Sequence, residues 1–304
     1  MSFDLLIDRI KELRNPTVAG LDPKFSYVPK YIKEKYLDLE PLESAAMAVL
    51  EYNKGLIDAL CDIVPAIKPQ AAYYELYGWA GVKALKETID YAHKKGMYVI
   101  TDGKRNDIGT TMEAYAAAHL GKVEINGKKV APFDGDALTV NGYLGTDGIS
   151  PLIKICKEEN KGIFVLVKTS NPSSGELQDK KIDDKAVYEV MGEMCEKWGE
   201  ELTGKYTYSG VGAVVGATYP EQLEYLRKKM PHTFFLVPGY GAQGGGAKDV
   251  AAAFDKDGLG AIINSSRGII CAYQAEGCNE TEYAAAARRE AIRMRDDILQ
   301  YINL

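Results

Sequence analysis

Two stretches of this chain, with two cations elsewhere, have residue types and spacings that could do chemistry. The first stretch is Asp102-Gly103-Lys104-Arg105-Asn106-Asp107. On a strand, Asp102 and Lys104 point to the same face. Asp107 follows three residues later, past a turn, and could fold back toward the ammonium. Lys68 ends an earlier apolar run. Together they could alternate as Lys68–Asp102–Lys104–Asp107, an array that keeps one lysine protonated and fixed beside a carboxylate. The same residues also read as a charged turn between strand and helix, with Asp107 as a helix N-cap. Lys68 alone also reads as a strand-end lysine reaching to solvent.

The second stretch is Pro238-Gly239-Tyr240-Gly241-Ala242-Gln243-Gly244-Gly245-Gly246. It contains Gly-x-Gly-x-x-Gly, the dinucleotide fingerprint. That fingerprint belongs in the first βα unit of a Rossmann half, with an acidic residue closing the next strand. Here it follows the seventh apolar run, and the next run ends in Asn264-Ser265-Ser266-Arg267. The glycines instead allow backbone N–H groups to approach an anion, and Arg267 can grip a phosphate bidentately. A flexible turn remains the alternative for the loop alone; Arg267 tips the balance toward phosphate.

These residues need a scaffold that brings them to one rim. Eight apolar runs recur along the chain: Val18–Leu21, Ile63–Ile67, Met97–Thr101, Ala137–Val140, Ile163–Val167, Val211–Val215, Phe234–Val237 and Gly260–Ile263. They are continuous rather than alternating, as parallel strands buried on both faces are. Helical stretches separate them, including Leu42–Cys61, Gly81–Lys95, Ala186–Thr203, Pro220–Met230 and Lys248–Asp257, and Glu280–Tyr301 closes the chain. Eight such units predict one α/β domain over residues 1–304, a (β/α)8 TIM barrel. An open doubly wound sheet is the alternative that periodicity leaves.

In a barrel the active site lies where the strands end. Asp22, Lys68, Asp102, Asn141, Lys168-Thr169-Ser170 and both stretches above fall there. Two segments exceed the barrel's needs. Val123–Phe133 carries Asn126-Gly127 between short extended runs, a hairpin signal expected on the N-terminal face. Asn171–Asp184 is a long polar loop after the fifth strand, the length of a lid or binding loop.

Composition narrows the partners. The net charge is −6, and no lysine- or arginine-rich block appears, which argues against a nucleic-acid face while leaving room for a small anionic ligand. No apolar run approaches the roughly 18 residues of a membrane span. The opening segment is acidic and amphipathic, unlike a signal peptide. Five cysteines, widely spaced and without a Cys-x-x-Cys pair, suit free thiols in a reducing cytoplasm. With His93, His119 and His232 they form no ligand spacing, so no metal is expected.

In order along the chain, Gly20-Leu21-Asp22-Pro23, Ile67-Lys68-Pro69-Gln70, Thr101 through Gly109, Ser170-Asn171-Pro172, Pro238 through Gly245 and Ser266-Arg267-Gly268 resemble the orotidine 5′-phosphate decarboxylase family, in its longer bacterial-type branch. The resemblance spans the whole barrel. It implies cofactor-independent decarboxylation of orotidine 5′-monophosphate to uridine 5′-monophosphate, the last step of de novo pyrimidine synthesis. It implies that Lys104 protonates C6 as carbon dioxide leaves and that Asp102 faces the departing carboxylate. Lys68 and Asp107 would complete the array and contact the ribose. Asp107 and Thr111 would reach a neighbouring subunit's site, which implies a homodimer with shared sites. Asp22 would bind a ribose hydroxyl, Ser170 and Gln243 would read the pyrimidine, and Pro238 would join the substrate-binding set. Arg267 and the Gly244–Gly245 backbone would hold the phosphate. The hairpin and the Asn171–Asp184 loop go beyond the family's compact form.

Two other readings stand beside this one. A metal-dependent sister barrel, such as a sugar-phosphate decarboxylase or hexulose-phosphate synthase, shares Asp-x-Lys-x-x-Asp but uses magnesium. Lys68 stands where that chemistry would want a carboxylate. A barrel that binds a nucleotide without turnover is the third; nothing in the sequence suggests lost catalysis.

Overall fold

The computed structural model describes residues 1–241 and 244–304. Eight parallel strands close into a barrel: Thr17–Leu21, Ala66–Pro69, Tyr98–Arg105, Ala137–Val140, Gly162–Lys168, Val211–Val215, Phe235–Val237 and Ala261–Ser265. Each pairs with its neighbours in sequence, and the first pairs with the eighth through Thr17↔Ile263 and Val18↔Asn264. The closed barrel is therefore the architecture, and the open sheet is excluded.

The continuous apolar runs have the origin expected of them. Along each strand, residues alternate between two buried clusters. Val18, Ala66, Ile100, Ala137 and Phe164 point into the barrel, while Ala19, Ile67, Val99, Leu138 and Val165 face the surrounding helices. With both faces covered, neither can be polar. The second strand begins later than its apolar run, at Ala66, because Ile63 and Val64 still belong to the turn ending the helix Pro41–Leu60.

The helix Ser2–Leu13 has a role its sequence did not announce. Its Phe3, Leu6, Ile7 and Ile10 join the interior cluster. The Phe3 ring lies 4.8 Å from Phe164 and 5.5 Å from Phe234, so this helix plugs the barrel's lower end. The opposite end is left for chemistry.

The first insertion forms the expected antiparallel hairpin, Val123–Ile125 with Lys128–Val130, turning at Asn126 and Gly127 with φ of 53° and 75°. It lies between the helix Gly109–His119 and the fourth strand, hence on the N-terminal side. The second insertion is ordered rather than open loop. It contains a 3-10 turn, Pro172–Glu176, and a two-residue ribbon, Lys181–Ile182 with Lys185–Ala186.

Candidate active site

The second and third strands place two lysines around one carboxylate. Lys68 Nζ lies 2.7 Å from Asp102 Oδ2, and Lys104 Nζ lies 2.6 Å from Asp102 Oδ1. Lys68 and Asp102 are almost completely buried, at 4% and 7% exposure. Burial alone would raise the Asp102 carboxyl, but Lys68 and Lys104 outweigh it and hold the group far below the usual carboxylate range. Burial likewise opposes the Lys68 ammonium, yet Asp102 and Asp22 raise it above an ordinary lysine. Asp22 Oδ1 sits 4.0 Å from Lys68 Nζ.

The third strand reaches this geometry by breaking its own ladder. Its register against the fourth strand shifts between Thr101, paired with Leu138, and Arg105, paired with Val140. Lys104 lies inside that irregularity with φ +47°, a left-handed conformation rare for a residue with a side chain. Thr139, on the fourth strand, fills the gap. Its hydroxyl accepts from the Lys104 amide at 3.0 Å and donates to Asp102 Oδ1 at 2.8 Å.

These side chains line a cavity of about 520 Å³ at the strands' C-terminal ends. That size suits a small-molecule ligand. Ser170, Pro238 and Arg267 also line it, as the sequence led one to expect. Arg267 is exposed at the start of a short helical turn, Arg267–Ile270. Gly20 permits the eighth strand's approach: a Cβ there would meet Ser266 Oγ at 1.9 Å. Two buried acceptors in the wall, Asp22 Oδ1 and Asn264 Oδ1, have no hydrogen-bond partner among the described residues. Such atoms are costly unless a ligand or water satisfies them.

Several expectations meet a different arrangement. Asp107 does not fold back to Lys104 within the chain. Its Oδ1 accepts from the adjacent Ile108 amide at 2.8 Å, and it makes no ion pair among the described residues. The bulge carries the chain outward after Lys104, so Asp107 is not among the residues lining the cavity. Nor does it cap the following helix, whose N-cap is Ile108. Thr111 is exposed on that helix and also away from the cavity. The Gly244 and Gly245 amides are already engaged, donating to Gly241 and Gly239 carbonyls at 3.0 and 3.2 Å. Gln243 lies outside the described residues.

Thr139 escaped the sequence reading, and Tyr240 and Lys168, which it placed at the rim, have roles it did not assign. Thr139 sits within an apolar run and looks like a core residue. Tyr240 ties the glycine-rich loop to the last helix by donating to Asp297 Oδ2 at 2.6 Å. Lys168, ending the fifth strand, is fully buried. It holds Asp179 of the inserted segment at 2.6 Å and lies 4.8 Å from the Tyr219 ring centroid. Gln178 adds a bond to the Thr169 amide at 2.9 Å. The segment is thus fastened beside Ser170 and Asn171, both in the cavity wall. All five cysteines are free thiols. No helix is long and apolar enough to cross a membrane among the described residues.

Comparison with known proteins identifies the family. A protein from Rhodopirellula baltica named orotidine 5′-phosphate decarboxylase is 45% identical over 93% of each chain. One of the same name from Clostridium tetani is 41% identical over 100% of this chain and 99% of its own. The solved structure of Leishmania donovani OMP decarboxylase superposes with a TM-score of 0.73 at 32% identity, covering 97% of this chain and 99% of that one. A family profile described as orotidine 5′-phosphate decarboxylase / HUMPS matches residues 37–277. With relatives this similar along almost its whole length, the chain belongs to the orotidine 5′-phosphate decarboxylase / HUMPS family.

Proposed function

We propose that the protein decarboxylates orotidine 5′-monophosphate to uridine 5′-monophosphate and carbon dioxide, the closing step of de novo pyrimidine synthesis, in the cytoplasm. One observation carries this reading: a buried carboxylate held between two ammonium groups in the wall of a ligand-sized cavity. When the C6–carboxylate bond breaks, its electron pair stays on C6. Fixed positive charge stabilises that pair, and Lys104 Nζ delivers the proton. At 4 Å and an effective dielectric of 20, one ammonium is worth about 4 kcal/mol to a neighbouring unit negative charge. Asp102 keeps Lys104 aimed and meets the departing carboxylate with like charge.

The remaining contacts follow from donor chemistry. Asp22 and Asn264 supply acceptors for sugar hydroxyls, Ser170 meets the base, Pro238 packs against the ligand, and Arg267 holds the phosphate. Gln243, Gly244 and Gly245 belong to the loop beside Arg267; the two glycine amides would exchange loop carbonyls for phosphate oxygens. Lys68 completes the charge array. Asp107 and Thr111, directed away from their own cavity, would serve a second copy's site in a homodimer.

The magnesium-dependent alternative within the family fits less well. Every oxygen of Asp102 is committed to an ammonium or hydroxyl donor, and the second strand presents Lys68 in place of a carboxylate. The test is ultraviolet absorbance of orotidine 5′-monophosphate with purified protein, with and without EDTA. Conversion indifferent to EDTA, lost in Lys104→Ala while uridine 5′-monophosphate still binds, is the expected result. No conversion by folded protein would overturn the reading, and EDTA-sensitive turnover would favour the metal-dependent branch.

A further inference from the structure

The register shift opposite Thr139 has a chemical consequence beyond the array itself. Residues 102 to 104 lie between the pairs Thr101↔Leu138 and Arg105↔Val140, so three residues of one strand face a single residue of the next. A bulge of this kind leaves backbone groups without ladder partners. The Lys104 amide is one of them, and it turns to the Thr139 hydroxyl at 3.0 Å. A hydroxyl carries one proton. Having accepted from the amide, Thr139 has that proton free to donate, and Asp102 Oδ1 receives it at 2.8 Å. The polarity of the chain is thereby fixed from the Lys104 N–H through the Thr139 O–H to the carboxylate.

We infer that Thr139 is a positioning residue for the reaction: its one hydroxyl pins the Lys104 backbone in its left-handed turn and holds Asp102 as a hydrogen-bond acceptor. Thr139 is 1% exposed, so water cannot readily substitute for either bond. Both ends of the Lys104 residue then converge on Asp102, the backbone through Thr139 and the ammonium directly. The other charges around the carboxylate are Lys68 from the second strand and, beyond it, Asp22 from the first. Neither contacts the Lys104 backbone. No other side chain among the described residues bonds both to that backbone and to Asp102.

The inference rests on the proposed decarboxylation for what is positioned, and the experiment separates the two. Thr139→Val is nearly isosteric and removes both bonds; Thr139→Ser keeps them. In Thr139→Val, kcat for orotidine 5′-monophosphate falls by roughly tenfold or more while KM changes by less than about threefold. Thr139→Ser stays within about threefold of the unaltered protein. Uridine 5′-monophosphate affinity and the melting temperature serve as controls for folding, and Thr139→Ala carries the same expectation should the valine variant not fold. A valine variant with kcat within about twofold, or equal losses in the valine and serine variants, overturns the inference. If the unaltered protein gives no turnover, the functional reading fails, and crystal structures decide Thr139 instead. A relaxed Lys104 φ or a lengthened Lys104–Asp102 contact in the valine variant supports its role; unchanged geometry overturns it.

Discussion

Lys68 and Asp102 stand on adjacent strands and meet at 2.7 Å with almost no solvent on either. Removing one partner of such a pair leaves a buried charge without compensation. Asp102→Ala should therefore destabilise the fold by about 3–5 kcal/mol, besides abolishing turnover, as read by urea denaturation and by the absorbance assay. A loss below about 1 kcal/mol would mean that Asp22, 4.0 Å from Lys68, takes over as its partner. The pair's pH limits follow from its shifts. Asp102 is depressed, so its contribution is complete above the unfolded value near 4 and is lost as pH falls through the lower folded value. Lys68 is raised, so its contribution is complete below about 10.4 and is lost as pH rises through the folded value. Between pH 5 and 9 neither group titrates, and any inflection of turnover there belongs to another group.

Much of this site is legible in the sequence because strand geometry is periodic. Asp102 and Lys104 share a face at a spacing of two, and continuous apolar runs announce strands buried on both sides. What escapes is whatever depends on a local break in that periodicity. The bulge after Thr101 rotates Lys104 into a left-handed turn and carries Asp107 outward, so Asp107 does not fold back toward the ammonium of its own chain. Thr139 lay hidden in Ala-Leu-Thr-Val because a threonine suits any strand. Lys168 was visible at a strand end, but its partner Asp179 comes from an insertion whose path no pattern specifies.

That Lys168–Asp179 contact fastens the segment 171–186. The ammonium is fully buried, whereas the carboxylate is partly exposed. Asp179→Ala leaves the ammonium with only Ser174 and aromatic faces, at a cost of roughly 1–3 kcal/mol. Because Ser170 and Asn171 adjoin the segment and line the cavity, KM should rise, and limited proteolysis between residues 171 and 186 should accelerate. Unchanged cleavage and unchanged melting temperature would show that Gln178 and the two-residue ribbon suffice.

Asp107 offers a test of site sharing. If it acts on a partner's substrate, Asp107→Ala and Lys104→Ala are each inactive alone but complement one another. A one-to-one mixture, unfolded and refolded together, assembles into about half heterodimers, each with one intact site of two, and recovers about a quarter of normal activity. Absence of recovery in mixtures shown to contain heterodimers would place Asp107 outside catalysis across the interface.

His119 links acid sensitivity to the hairpin insertion. Its ring stacks on Phe133 at 4.9 Å, at the hairpin's base, and is 4% exposed. Its Nδ1 has no hydrogen-bond partner among the described residues. Burial, aided by the Arg105 charge, pushes the imidazole down to about 4. The unfolded chain, with an ordinary histidine near 6.5, therefore binds more protons than the folded protein as pH falls below that value. Stability drains away between about pH 6.5 and 4, amounting to about 3 kcal/mol from this residue. Carboxylates titrate in the lower part of the same window, so the informative quantity is a difference. Denaturant melts at pH 7 and pH 4 should show a smaller acid loss in His119→Gln than in the unaltered protein, by about that amount. Identical acid losses would mean that the ring is protonated in the folded state, with the hairpin yielding enough to let water reach it.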